Sequence, residues 1–175
     1  MGLLNIGLSL IRNKGLRGGI IFTTLVLCGA WFLSLNSVME FFRSDFTRII
    51  ATIAAGVLNL AGFDVSHTGI TIAGHGFSVG IKYGCNAVYE IMVFSAAVIA
   101  YPSSVKDKVT GVLFGVIVIY IFNLVRAVLL FLTGIYFSNL FEILHENVAQ
   151  NIFVFFLVIL WLFWVSRLNK RDPVR

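Results

Sequence analysis

Charged residues are scarce in this 175-residue chain. They make up 12% of the sequence, whereas 59% of the residues are hydrophobic. A soluble domain carries about 25% charged residues. This shortage excludes a water-soluble globular domain, a disordered tail and a coiled coil. Proline is also rare, with two residues, and we find neither a low-complexity tract nor a repeat of fixed period. The length indicates a single domain over residues 1–175.

Cysteine is equally rare, because Cys28 and Cys85 are the only two in the sequence. Two cysteines cannot build the disulfide framework that small secreted domains need. The net charge of +5 does not indicate nucleic-acid binding, since the basic residues are spread along the ends of apolar runs. That distribution is typical of a membrane protein. We predict no metal ion and no cofactor.

Four apolar stretches are candidate membrane-spanning helices. Residues 18–39 and 148–166 contain no charge, and residues 109–133 contain a single arginine. Residues 86–101 form the shortest candidate. A helix needs about 20 apolar residues to cross a bilayer. The first stretch exceeds the roughly 7–15 apolar residues of a signal peptide and lacks a cleavage site, so we interpret it as a retained anchor.

The basic residues indicate the orientation of these helices. If the N-terminus is cytoplasmic, nine lysines and arginines lie inside and three outside, as membrane insertion favours. The inside set is Arg12, Lys14, Arg17, Lys106, Lys108, Arg167, Lys170, Arg171 and Arg175, and the outside set is Arg43, Arg48 and Lys82. We therefore predict cytoplasmic termini.

Residues 49–63 are uncharged but amphipathic, and two interpretations are open. Apolar side chains recur at helical spacing, while polar ones fall on another face. We expect this segment to lie in the outer membrane interface. The alternative is a fifth crossing, which would move Lys106 and Lys108 to the outside.

Residues 64–84 change to an alternating pattern that predicts strands. Gly74, His75 and Gly76 lie where a turn is expected. We predict a small extracytoplasmic β-hairpin that leads directly into Cys85. His67 and His75 are interpreted as surface or turn residues.

Cys85 is predicted to lie at the outer N-terminus of the second membrane helix. A helix N-terminus stabilises a thiolate, which is the nucleophilic form of cysteine. The simpler interpretation, a small buried apolar residue, fits Cys28 better, because Cys28 lies in the middle of the first apolar stretch without an ionisable neighbour.

Two charged residues are expected at membrane depth. A charge there costs roughly 2.5–3.5 kcal/mol, so it usually faces protein or water and serves a function. Arg126 shares a helix face with Asn123, and Glu90 lies at a similar predicted depth. We predict an intramembrane pair between Glu90 and Arg126, with the arginine donors directed into a polar cleft. A snorkelling arginine is the alternative.

His145 begins the last membrane helix on its outer side. Asn147, Gln150 and Asn151 continue a polar stripe into that helix. A histidine beside a thiol can act as acid and base in acyl transfer. Because of the alternating helix directions, Cys85, Arg126 and His145 should all lie in the outer leaflet. The sequence therefore predicts a Cys/Arg/His site there.

This order of residues resembles the exosortase/archaeosortase family. The likeness is carried by Cys85, by Asn-x-x-Arg at 123–126 and by His145, on successive helices with the cysteine after an outer hairpin, and it covers about residues 46–164. The short length is similar to the exosortase H-like branch. The apolar stretches and the alternating segment predict an all-α integral membrane protein with about four transmembrane helices, an outer interfacial amphipathic helix and a small extracytoplasmic β-hairpin.

The resemblance also implies an activity and roles for the residues. Members are membrane cysteine transpeptidases of prokaryotes that recognise a C-terminal sorting signal, composed of a short motif, a transmembrane helix and a basic cluster. By that likeness Cys85 is the nucleophile, Arg126 stabilises the transition state and His145 is the acid and base. Asn123 is the asparagine of the family motif.

This sequence also differs from the family pattern in some respects, and the resemblance implies a cellular location and partners. Asn86 and Ala87 follow the cysteine where larger exosortases have Ser-Gly, and those proteins have about eight helices. From their positions in the sequence, Asn86, Glu90 and Asn147 are expected to support the site, although Glu90 matches no general motif of the family. The implied location is the inner membrane, with the site facing the periplasm or exterior. The implied partners are a substrate sorting helix and membrane lipid.

Three other functions remain open from the residues alone. The first is a non-catalytic membrane subunit or assembly factor that uses Arg126, Glu90 and Asn123 for contacts between helices. The second is a small transporter, although the inverted repeats common in transporters are not visible. The third is a thiol redox protein, for which Cys28 lies too deep to resolve Cys85 easily.

Overall fold

The computed structural model describes residues 14–81 and 85–171, apart from the side chains of Lys14, Glu146, Asn147 and Arg171. Arg12, Lys82 and Arg175, which the charge argument uses, lie outside the described residues, as does the predicted end of the hairpin at Tyr83 and Gly84. The helices are α1 (Lys14–Leu33), α2 (Asn36–Phe41), α3 (Thr47–Leu60), α4 (Val88–Ala100), α5 (Val105–Tyr136), α6 (Ser138–Ile143) and α7 (Ala149–Arg171). Two π-helical turns, Phe42–Phe46 and Leu144–Val148, precede α3 and α7.

Within the described part of the chain, three helices are long and apolar enough to cross a membrane. They lie in α1, α5 and α7, and α4 is a shorter apolar helix of 13 residues. The predicted all-α membrane fold with four apolar helices is therefore confirmed.

The predicted extent of the first membrane helix, residues 18–39, is wrong. Helix α1 ends at Leu33, and a new helix begins at Asn36. The Ser34 hydroxyl donates a hydrogen bond to the Trp31 carbonyl at 2.7 Å. Serine competes in this way with helical hydrogen bonds. The following Leu35 is extended, with a ψ of 130°, so the chain changes direction here without proline or glycine.

Helix α3 covers most of residues 49–63, the amphipathic segment expected either to lie in the outer interface or to cross the membrane. Its 14 residues span about 21 Å at 1.5 Å per residue, which is less than the roughly 30 Å of a bilayer core. The helix buries a face of small and apolar side chains that packs against α5 and the strands. The opposite face exposes Ile49, Ile53, Val57 and Leu60. This division is typical of a helix lying along an apolar boundary.

The predicted hairpin is one part of a three-stranded antiparallel sheet. The strands β1 (Ser66–Thr68), β2 (Thr71–Gly74) and β3 (Phe77–Gly80) pair in chain order. The predicted turn lies between β2 and β3, with positive φ angles at His75 and Gly76. The additional strand β1 is exposed throughout, so it carries no alternation of apolar residues by which the sequence would reveal it.

Helix α5 is the centre of the bundle and packs against α3, α4, α7 and β3. Glycines on α5 permit the close approaches. A Cβ atom at Gly115 would collide with the Phe94 ring of α4, and one at Gly134 would collide with the Phe77 ring of β3. The sheet is thereby held against the end of α5 that follows Arg126.

Candidate active site

One stripe of α5 is buried and carries the two polar residues of the Asn-x-x-Arg motif. The buried positions recur every three to five residues, at Gly111, Gly115, Ile119, Asn123, Arg126, Phe131 and Gly134. Asn123 is 2% exposed and Arg126 is 8% exposed. The spacing of three brings both side chains to one face of α5, directed into the bundle.

The Arg126 guanidinium lies between a sulfur atom and an aromatic ring. Its Nη2 atom donates a hydrogen bond to Cys85 Sγ at 3.5 Å. Its Cζ atom lies 5.5 Å from the centroid of the Phe153 ring on α7, within the range of a cation–π interaction. Among the described residues, Nε and Nη1 have no hydrogen-bond partner although both are buried. Arg126 therefore retains two donors that a ligand entering the site can use.

Glu90 on α4 is also buried, with 8% of its surface exposed. Among the described residues, its buried Oε2 atom has no hydrogen-bond partner. Within residues 14–81 and 85–171, Arg48 and Asp45 form an ion pair at 4.0 Å. No ion pair within that distance joins Glu90 to Arg126 in the same ranges. The two side chains are buried in the same bundle, but they do not form the predicted pair at ion-pair distance.

Cys85 lies in a short turn before α4 that a buried network holds. Asn86 is fully buried; its Nδ2 donates to the Phe42 carbonyl at 3.0 Å and to Thr47 Oγ1 at 3.1 Å, and its Oδ1 accepts from the Val88 amide at 3.3 Å. The sequence predicted Cys85 at the N-terminus of this helix, but α4 begins at Val88, three residues later. The amide of Val88 is already bonded to Asn86, so the start of the helix is further from the sulfur than predicted. The cationic group that donates a hydrogen bond to the Cys85 sulfur is the Arg126 guanidinium.

His145 lies in the second π-helical turn, at Leu144–Val148. Its imidazole stacks on the Phe141 ring, with centroids 5.4 Å apart and planes inclined by 7°. The spacing of four residues between Phe141 and His145 places both rings on one helix face. π-helical turns often mark functional positions. This stacking fixes the plane of the imidazole beside the cavity.

A cavity of about 30 Å³ brings the predicted residues together. Its lining includes Cys85, Asn123, Arg126 and His145, and the sheet closes it with Ile72 and Val79. Its volume is close to that of one water molecule. A second, apolar cavity of about 200 Å³ lies between α5 and α7 and shares Arg126 and Leu130 with the first. The small cavity can hold a carbonyl oxygen or a water next to the sulfur and the guanidinium.

The remaining predicted residues lie around this cavity. Asn86 directly follows Cys85 in the chain and Glu90 is buried on α4, and neither lines the cavity. The side chain of Asn147 is outside the described residues. Two neighbours were not predicted, namely Thr47 and Phe153. Phe153 lies three residues after Gln150 of the polar stripe, so helical spacing gave a signal for it. Thr47 gave none, because its partner depends on the π-helical turn.

No group of three or more His, Cys, Asp or Glu side chains within the described ranges is arranged to hold a metal ion.

Comparison with known protein families identifies the family of the chain. The model of the transmembrane exosortase family matches residues 3–165, which include every residue of the cavity. Neither a curated protein nor a solved structure matches the chain. The matched range covers most of the sequence, including α1, α4 and α5 in full and α7 as far as residue 165. The chain therefore belongs to the transmembrane exosortase family.

Proposed function

We propose that this protein is a membrane-embedded cysteine transpeptidase. It cleaves the C-terminal sorting signal of exported proteins at the outer face of the inner membrane and transfers them to an acceptor amine or hydroxyl. The observation that supports this most directly is the shared cavity of Cys85, Arg126 and His145, with Nη2 of Arg126 3.5 Å from Cys85 Sγ. A nucleophile, a cationic donor and an acid/base group are the three components that acyl transfer by a thiol requires.

The first half of the reaction forms a thioester. Cys85 gives its proton to His145 and attacks the scissile carbonyl carbon. The carbonyl oxygen becomes an oxyanion, which accepts hydrogen bonds from Arg126. The C–N bond then breaks, and His145 donates its proton to the leaving amine. The products are an acyl-Cys85 thioester and the released membrane helix of the sorting signal.

The second half transfers the acyl group. An acceptor amine or hydroxyl loses its proton to His145 and attacks the thioester carbon, and Arg126 again stabilises the oxyanion. The C–S bond breaks, and the departing Cys85 sulfur takes the proton back from His145. The apolar walls around the small cavity limit the access of water, which favours transfer to an acceptor over hydrolysis.

The proposed orientation places the cavity on the exterior side and both termini in the cytoplasm. Its support is the distribution of lysine and arginine, nine inside against three outside. The sheet and α3 then lie outside, next to the entrance of the site. The substrate's own membrane helix crosses beside the bundle, and its motif reaches the cavity from the outer interface.

Co-expression with candidate sorting-signal proteins tests the function. We expect the wild type and Cys28→Ala to process such a protein, because Cys28 lies exposed on α1 away from the cavity. Cys85→Ala should abolish processing, and an active enzyme should yield a hydroxylamine-sensitive acyl intermediate on Cys85. Processing by Cys85→Ala at the wild-type level would instead support a non-catalytic membrane subunit.

A further inference from the structure

We propose that Thr47 and Asn86 are positioning residues that fix the Cys85 turn against the first π-helical turn. The pair joins the outer helix α3 to the nucleophile across 39 positions of sequence. The catalytic part of this proposal rests on the proposed function, because it takes Cys85 as the nucleophile. The structural part stands independently of that function.

The Phe42 carbonyl is the point at which the two segments meet. It accepts a hydrogen bond from Thr47 Oγ1 at 2.6 Å and another from Asn86 Nδ2 at 3.0 Å. A carbonyl oxygen has two lone pairs, so one group can serve both donors. Phe42 begins the π-helical turn at Phe42–Phe46. The turn and the two side chains thus form one closed hydrogen-bonded unit.

The unit is buried and leaves little freedom to Asn86. Thr47 and Asn86 are both 0% exposed. The amide nitrogen of Asn86 bonds Phe42 and Thr47, while its oxygen accepts from the Val88 amide at the start of α4. Both ends of the side chain are therefore engaged. A buried polar group left without its partner is costly, so the network favours a single arrangement.

The backbone between Asn86 and α4 supports the same interpretation. Ala87 adopts a left-handed conformation, with φ of 63°, which is uncommon for residues other than glycine. Such conformations persist where the surroundings determine them, and they cluster at functional sites. Here the Asn86 side chain spans Ala87 by accepting a hydrogen bond from the Val88 amide, while its nitrogen is bonded to Phe42 and Thr47. The consequence is a fixed direction for Cys85, whose sulfur meets Arg126.

Thr47 acts on the reaction only through Asn86 and Cys85, so its effect should appear in the rate of chemistry. A displacement of about 1 Å at a reacting atom can reduce turnover about 100-fold. The substrate-contacting surfaces are unchanged by a substitution at Thr47. Loss of the hydroxyl should therefore lower kcat and leave KM unchanged.

The test compares Thr47→Val, Thr47→Ser and Thr52→Val in the full-length protein. Valine removes the hydroxyl at nearly constant shape, and serine restores it. Thr52 is a matched control on the same helix, because its hydroxyl bonds Arg48 and His67 instead of Asn86. The two readouts are hydrogen exchange of the amides at 85–88, followed by mass spectrometry, and the kcat and KM of sorting-signal processing.

We expect Thr47→Val to accelerate exchange at 85–88 and to lower kcat by about tenfold or more, since well-placed groups determine turnover. Thr47→Ser and Thr52→Val should resemble the wild type in both readouts. Thr47→Ala replaces Thr47→Val if the valine variant does not fold. Unchanged exchange in the variants without a hydroxyl would overturn the proposal, and so would faster exchange with an unchanged kcat. If the wild type processes no sorting signal, the proposed function fails while the exchange comparison still decides whether the pair holds the turn.

Discussion

Arg126 donates a hydrogen bond from Nη2 to the sulfur of Cys85 at 3.5 Å, across 41 positions of sequence. The same guanidinium lies over the Phe153 ring and has two further buried donors without a partner among the described residues. In the proposed mechanism, this guanidinium first contacts the Cys85 nucleophile and afterwards stabilises the oxyanion. Its position connects three helices to a single reacting centre.

Substitution of Arg126 should therefore reduce processing strongly. We expect Arg126→Gln to lower the rate by about 100- to 1000-fold, the usual loss for one oxyanion donor. Arg126→Lys should not restore it, because lysine lacks the planar set of donors. The measurement is single-turnover cleavage of a sorting-signal peptide.

Arg167 provides the matched control for that experiment. Its Cζ atom lies 4.7 Å from the Phe163 ring centroid on α7, so it is also an arginine stacked on an aromatic ring. It does not line the cavity. Arg167→Gln should process at the wild-type rate, and equal losses for both glutamine variants would contradict the assigned role.

His145→Ala should slow cleavage by about 100- to 10,000-fold, the range of general acid–base contributions. His67→Ala is the control, because His67 is exposed on β1 and contacts Thr52. A substrate ester with a good leaving group needs no proton from the enzyme, so it should recover much of the lost acylation rate. If ester and amide are affected equally, His145 is not the acid.

The buried side chains of Glu90 and Arg126 should show coupling in stability. Glu90→Gln removes the buried carboxyl group that we predict to interact with Arg126, and it should lower the unfolding temperature in detergent. Adding Arg126→Gln should cost less than it does alone, with a coupling of about 0.5–3 kcal/mol as for residues in one network. Strictly additive effects of the two substitutions would contradict a Glu90–Arg126 interaction.

The orientation can be tested by labelling single cysteines with a membrane-impermeant maleimide. Ser66 on β1 and Lys106 at the start of α5 are both exposed. In a background of Cys28→Ser and Cys85→Ser, Ser66→Cys should react in intact cells and Lys106→Cys only after permeabilisation. Labelling of Lys106→Cys in intact cells would favour a fifth crossing.

Membrane helices could be predicted because long charge-free runs have few other stable locations. Their ends could not, since they depend on single hydrogen bonds. Ser34 ends α1 through the Trp31 carbonyl, and Asn86 delays the start of α4 to Val88. The residues of the cavity were predictable because alternating helix directions brought Cys85, Arg126 and His145 to one depth. Thr47 was not, because its partner carbonyl is available only in the π-helical turn.

The shortness of α4 has a consequence for the proposed reaction. Thirteen residues rise about 20 Å, which leaves about 10 Å of a 30 Å hydrocarbon layer uncovered. In the proposed orientation, with Ala100 at the cytoplasmic boundary, the Cys85 sulfur would be recessed beneath the lipid headgroups. A substrate chain would then have to release its hydration and descend into the bilayer before it reacts, so a fully hydrated loop of a neighbouring protein would be spared.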